Sequence, residues 1–317
     1  MSIGVGIIAT GSIADNAHAP AVSQLSDTKL VAVLTRDANN GKDFVQRHDA
    51  SDASVHLSLE DFVDDEKIDL VIICSPDGLH YEQALACLNA GKHVLLEKPM
   101  TTSVETSQEL IEVAEKNNLV FAIGFHLRSH KGHRILANRL KELGKLRHIR
   151  VQWTWQVLDD SNWRANSEYT KWWSLSGVGS HCIDLSRWLT QDHEEWKQLT
   201  SIINTDNWGG PHDETAVVAG QLHSGVTVEV ATSVLFESKT RLEIYGHDGF
   251  AICEDTLGRH GGGTITINNS PVDFEQVSPF AEQLQNVVDC IKGKEALNAP
   301  ATAGLRSVKD LLDVINS

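Results

Sequence analysis

IGVGIIATGSIA, Ile3 to Ala14, is the stretch whose reading decides the fold. Ile3–Ala9 is a short apolar run of the kind that forms a buried strand. It leads into Ala9-Thr10-Gly11-Ser12-Ile13-Ala14, which follows the G-x-G-x-x-G/A dinucleotide pattern with alanine in first place. In that pattern the first glycine permits a tight turn and the second lets the backbone approach a pyrophosphate. The third position needs only a small residue, so that helix and strand can pack. Gly11 and Ala14 meet the second and third demands, and Ala9 departs from the first. A helix beginning near Ser12 aims its free N–H groups and its dipole at phosphate oxygens. A tight strand–helix turn that binds nothing has the same local sequence, so the surroundings must decide.

The surroundings alternate. Leu30–Leu34, Ile68–Cys74, His93–Glu97 and Leu119–Phe125 read as further buried strands. Helix-period stretches lie between them, such as Tyr81–Ala90 closed by Gly91, and Thr102-Ser-Val-Glu105 is a capping-box pattern opening another helix. Such alternation means a parallel sheet covered on both faces. In open parallel sheets ligands bind beyond the carboxyl ends of the strands. Thr35 and Arg36 stand at the second strand's tip, where a hydroxyl and a guanidinium suit a 2′-phosphate and favour NADP; the neighbouring Asp37 keeps NAD open. Ser75, Pro76, Asp77 and His80 follow the third of these ends, and Lys98-Pro99 the next.

Beyond residue 123 the character changes, and we place the domain boundary there: 1–123 and 124–317. All eight tryptophans lie at or after Trp153. From Thr215 to Asn268 runs rich in β-branched residues (TAVVAGQL, VTVEVATSVLF, TRLEIYG, GTITIN) are separated by turns, which predicts a largely antiparallel sheet. Helical patterns cover Gly132–Leu143, His181–Thr190, Pro279–Ile291 and Gly304–Ile315. In HIRVQWTWQV, Val151, Trp153, Trp155 and Val157 share a strand face, either a helix-covered core or a patch for subunit contact.

The 317 residues suit two domains at about 150 each. A formal charge of −16 argues against nucleic-acid and anionic-membrane partners. No apolar run reaches the ~18 residues of a membrane span, and MSIGVGII has no signal-peptide character. Cys74, Cys87, Cys182, Cys253 and Cys290 are odd in number and scattered, as expected of free thiols in a reducing cytoplasm. His126, His130 and His133 span a strand–helix junction at Gly132, and no metal site is expected.

AGKHVLLEKPM resembles the lysine motif of the Gfo/Idh/MocA family, the glucose–fructose oxidoreductase and inositol dehydrogenase family. ATGSIA, SPDGLHYEQAL, GFHLRSH with Arg128, SHCIDLSRWL and LEIYGHDGF resemble family segments in the same order, over essentially the whole chain. The resemblance implies an N-terminal Rossmann domain and a C-terminal α/β domain whose open sheet builds a homodimer or homotetramer. It also implies nicotinamide-dependent oxidation or reduction of a sugar, cyclitol or related polyol. The family lysine falls on Lys98, its following proline on Pro99 and the family histidine on His181. Ala9, Thr10, Gly11, Ser12, Ile13, Thr35, Arg36, Ser75, Pro76, His80, Glu97 and Lys98 become the candidate cofactor residues. His181 becomes the acid/base, because an imidazole titrates near working pH. Lys98 orients the reacting oxygen, and Arg128, Trp163 and Arg164 join both as candidate substrate residues, with Trp172 and Trp173 as weaker ones. The family's D-x-x-x-H pattern has Gly177 in place of its aspartate, and Asp184, three residues after His181, is the expected substitute for orienting the imidazole. Two other functions stay open on the same fold: a glycosidase using NAD transiently, and a non-catalytic cofactor-binding sensor.

Overall fold

A computed structural model of the chain describes residues 2–165 and 168–317. It divides into two compact units: the chain up to His126 with Phe280–Leu305, and Leu127–Pro279 with Arg306–Ser317.

The first unit is built on six strands: β1 (Ile3–Ile8), β2 (Thr28–Leu34), β3 (Ser54–His56), β4 (Leu70–Ile73), β5 (His93–Leu96) and β6 (Phe121–Ile123). All pair in parallel in the order β3-β2-β1-β4-β5-β6, the Rossmann arrangement. The strand order reverses between β1 and β4, which places the ligand crevice beyond their carboxyl ends. Helices α1 (Ala19–Gln24), α2 (Ala38–Arg47), α3 (Leu59–Val63), α4 (His80–Asn89) and α5 (Val104–Lys116) connect the strands. β4 reads as an unbroken apolar run because all its residues are buried, as a sheet covered on both faces requires. Gly91 ends α4 at φ +74°, a conformation a side chain disfavours. The cap of α5 is Ser103 rather than Thr102: the Ser103 hydroxyl accepts from Thr106 N at 3.2 Å.

The expected boundary needs correction after residue 279. Phe280, Leu284, Val287 and Val288 of α8 (Pro279–Ile291) fill the first unit's core with Val5, Ile7 and Ile72. Gln283 Nε2 donates to Ile123 O at 2.9 Å, and Ile123 N donates to Ala299 O at 3.0 Å. This segment extends the β6 edge. Its apolar face is legible in the sequence; which core receives that face is not.

The second unit carries α6 (Lys131–Arg139), α7 (Ser180–Thr190) and an eight-stranded sheet. Its strands are β7 (Leu146–Thr154), β8 (Gln198–Asn204), β9 (Thr215–Gln221), β10 (Thr227–Ser233), β11 (Arg241–Gly246), β12 (Phe250–Glu254), β13 (Thr264–Ile267) and β14 (Ser270–Pro271). The order is β14-β13-β12-β11-β7-β10-β9-β8, antiparallel throughout except for the parallel β7–β10 pair. Ile149, Val151, Val228, Val230, Leu242 and Ile244 share one buried face with Cys182, Ile183 and Leu185 of α7. The Val151–Trp153 face is therefore core, with Trp153 packed at its margin. The last helix, α9 (Ala301–Asn316), carries Leu311 and Val314 into the same core.

Candidate functional site

In the first unit the backbone is helical from Ser12, directly after Gly11, and runs on into α1. Ala9 takes φ +70°, the left-handed turn for which the pattern prefers glycine. Gly11 and Ser12 are exposed, and a Cβ added at Gly11 would meet nothing within 4 Å. A helix N-terminus thus faces open space lined by a residue without a side chain, and these residues fit a pyrophosphate. Thr10 Oγ1 donates to Thr35 Oγ1 at 3.4 Å, joining the loop to the β2 tip, and Ile13 is half-buried behind it. Arg36 is exposed at that tip. Asp37 accepts from Asn39 N at 2.7 Å and Asn40 N at 3.1 Å, so its carboxylate caps α2.

The loops after β4 and β5 are tied together. His80, fully buried, places Nδ1 2.8 Å from Pro99 O and Nε2 2.9 Å from Ser75 O. Each ring nitrogen thus faces a carbonyl of a different loop. His80, an expected cofactor residue, therefore braces two loops. Ser75 Oγ donates to Gln83 at 2.6 Å, and Pro76 leads into the turn Asp77–Leu79. The Lys98–Pro99 peptide is cis, and Lys98 is buried.

Glu97, another expected cofactor residue, has partners within the first unit. Its Oε1 lies 2.8 Å from His18 Nε2, and its Oε2 accepts from Lys98 N at 3.2 Å. Burial opposes the charge, but His18, and then Lys98 and His126, hold the carboxyl down at about 2. Gly124 leaves the room, since a Cβ there would fall 3.0 Å from the Glu97 carboxyl carbon. His18 is absent from the sequence candidates. Its one signal is its position a helical turn after Ala14, on the helix that follows the dinucleotide loop.

In the second unit His181 lies on α7, buried, with its ring stacked on Trp153 at 5.6 Å between centroids. It does not begin a helix: Leu175–Gly179 is already helical and runs into α7. That start is held by Asp213, which accepts from Trp173 N at 2.8 Å, Leu175 N at 2.7 Å and Ser174 Oγ at 2.6 Å. Burial pushes the Asp213 carboxyl up to about 6 against these donors. Asp213, too, is missing from the sequence candidates, because nothing in its turn-rich surroundings marks it.

Asp184 departs from its expected role. Arg128 Nε donates to its Oδ2 at 2.9 Å and Arg128 Nη2 to its Oδ1 at 2.6 Å, so a buried fork takes the carboxylate assigned to the imidazole. The same fork fixes the Nε and Nη2 side of the Arg128 guanidinium. Trp172 and Trp173 are buried, Trp172 in the core and Trp173 against Trp208. Trp163 and Arg164 remain half-buried, with the Arg164 guanidinium 4.1 Å over the Trp163 ring and its Nε 3.5 Å from Ser176 Oγ. His133 bonds Leu127 O and Thr256 Oγ1, and His130 Nε2 lies 3.1 Å from Gly262 O. Among the described residues no group of three or more His, Cys, Asp or Glu is placed to hold a metal.

Comparison with known proteins agrees on both halves. Residues 3–125 match the family described as "Oxidoreductase family, NAD-binding Rossmann fold" (GFO_IDH_MocA), and residues 137–252 match the GFO/IDH/MocA C-terminal domain. Glucose-6-phosphate 3-dehydrogenase of Bacillus subtilis (strain 168) is 30% identical over 320 residues, covering 93% of this chain and 82% of that protein. The scyllo-inositol 2-dehydrogenase (NADP(+)) IolW of the same organism is 29% identical over 252 residues, covering 77% of this chain and 63% of the relative's length. The crystal structure of aldose-aldose oxidoreductase from Caulobacter crescentus complexed with glycerol superposes with a TM-score of 0.90 at 19% identity, covering 100% of this chain and 97% of that one.

Proposed function

The chain belongs to the Gfo/Idh/MocA family of NAD(P)-dependent oxidoreductases, and we propose that it acts on a CH–OH group, or the matching ketone, of a sugar, cyclitol or related polyol. The observation that carries this is Lys98, buried directly after β5 with its backbone N–H held by Glu97. A lysine taken out of water and fixed beyond a strand's carboxyl end suits a reacting oxygen better than it suits solvent. The bound dinucleotide supplies or takes the hydride. The chain's own work is positional and protonic. Ala9–Ile13 turn the backbone toward the pyrophosphate. Lys98 Nζ orients and polarises the substrate oxygen. The His181 ring takes the hydroxyl proton on oxidation and returns it on reduction. Asp213 holds the start of the helix that carries His181, and the Arg128–Asp184 fork anchors the turn after it. Trp163 and Arg164 contact the substrate.

NADP is the preferred cofactor. Asp37, the carboxylate that would select NAD, is used on the α2 cap, while Arg36 is exposed beside Thr35. The protein assembles as a homodimer or homotetramer through the second unit's sheet. A reducing, cytoplasmic setting suits its cysteines, all free and four of them buried. Among the described residues no helix is long and apolar enough to cross a membrane.

Turnover of a sugar and cyclitol panel with each cofactor tests the assignment. Net cofactor reduction supports it; glycoside cleavage without net turnover, or binding alone, points to the other two functions of this fold. Lys98→Met and His181→Asn should each lower turnover by ~10²-fold or more, and His181→Asn should flatten one limb of the pH–rate profile. Unchanged rates in both variants would sink the assignment. Arg36→Ala should weaken NADPH binding by roughly ten- to a hundredfold and leave NADH nearly unaffected, as read by fluorescence titration. Equal affinity of the wild type for both cofactors would refute the NADP preference.

A further inference from the structure

Gly177 stands one helical turn before His181, where the D-x-x-x-H pattern has its aspartate. The structure supplies a physical reason for the exchange. A Cβ at Gly177 would lie 2.3 Å from Cη2 of Trp155 and 3.1 Å from both Cζ2 and Cζ3. Side chains do not make contacts that short, and the obstacle is a stiff indole rather than the tip of a flexible chain. Both backbones are pinned: Gly177 N donates to Trp173 O at 2.9 Å and Trp155 N to Ser233 O at 3.0 Å. Two residues earlier, on the same side of the strand, Trp153 stacks on His181 with the rings 25° apart. Trp155 is half-buried.

We propose that Trp155 is a specificity-determining residue. Its indole takes the volume that a side chain at 177 would need. With Trp153 it forms an apolar wall beside His181 that receives the C–H face of a pyranose or cyclitol ring. A carboxylate at 177 would read a substrate hydroxyl by hydrogen bonding; the indole reads the ring by its flat apolar face. Gly177 and Trp155 are then coupled: a side chain at 177 needs a smaller residue at 155. This deepens the assignment of His181 to the substrate site and rests on it.

The test is a cycle of Trp155→Ala, Gly177→Asp and the double variant. scyllo-Inositol and D-glucose serve as ring probes and glycerol as an open-chain probe, with binding read by calorimetry beside turnover. Trp155→Ala should raise KM and Kd for the ring probes by ~10-fold, the worth of one lost stacking surface, with kcat within about threefold and glycerol unaffected. Trp155→Phe should restore most of the loss. Gly177→Asp alone should lower the melting temperature, and adding Trp155→Ala should recover it. Unchanged ring-probe KM and Kd in Trp155→Ala, a Gly177→Asp variant as stable as wild type, or failure of both ring probes to bind wild type would each overturn the proposal. If Lys98→Met and His181→Asn abolish turnover while Trp155→Ala changes nothing, only the wall fails. If those two variants keep wild-type rates, the catalytic assignment fails instead.

Discussion

Glu97 shows what a single residue of a recognisable motif does once folded. Its carboxylate is buried between His18 and the Lys98 backbone, with Gly124 leaving the space. A carboxyl held at about 2, against an ordinary 4.5, stabilises the folded state while ionised. That contribution is complete above pH ~4.5 and is lost as pH falls through the folded value. Glu97→Gln should therefore cost ~3 kcal/mol near neutrality, the equivalent of a shift of ~2.5 pH units. The deficit in melting temperature between variant and wild type should narrow as pH is lowered from 6 to 3. A deficit that stays constant across that range would show that Glu97 packs without contributing charge. The EKP segment is legible in the sequence as a motif, but its partner is not. His18 lies 79 positions away, and only the parallel sheet brings β5 beside the helix that follows β1.

At the scale of elements, the helix bearing His181 depends on an aspartate from a distant loop. Asp213 takes both the Trp173 and Leu175 amides and the Ser174 hydroxyl, so it closes the helical start that a local cap would otherwise serve. Asp213→Ala leaves these donors unpaired in the interior. It should destabilise the protein by at least ~3 kcal/mol and raise hydrogen exchange at Trp173 and Leu175 before the rest of α7. Unaltered exchange there would remove Asp213 from this role. Such long-range support explains the limits of single-sequence reading. β1, β4 and β5 are legible because burial on both faces leaves unbroken apolar runs. β3 and β8 escape it because they are half-exposed edges with weak patterns. The helix of His181 is legible from its apolar spacing, yet its true start at Leu175 is hidden, because Asp213 and not a neighbouring residue supplies the cap. Asp184 reads as a partner of His181 from helical spacing alone, and tertiary packing gives it to Arg128 instead.

At the scale of the whole molecule, the second unit's sheet has one face sealed by its core and another that is not. Cross-strand pairing lines up Ile202, Val217, Ala231, Gln152, Arg241 and Glu254 in one row across that second face. Ile202 is 72% exposed and Val217 38%, an adjacent apolar pair at the β8–β9 edge. On the same face the charges are matched within the chain, Arg241 to Glu254 at the far end of this row and Arg150 to Glu229 in the next. This matters for a chain of formal charge −16, in which two copies would otherwise repel. A face whose ions are already compensated, and whose apolar pair is left exposed, is suited to meet a copy of itself across a two-fold axis. Val217→Arg places an uncompensated charge beside Ile202, and in a two-fold contact it does so twice. Since Val217 is already partly in water, the change should cost the monomer little, within about 0.5 kcal/mol. Sedimentation of wild type should give the mass of a dimer or tetramer, and Val217→Arg should lower it at an unchanged monomer fold by circular dichroism. Equal masses for the two proteins, whether both assembled or both monomeric, would remove this face as the subunit contact.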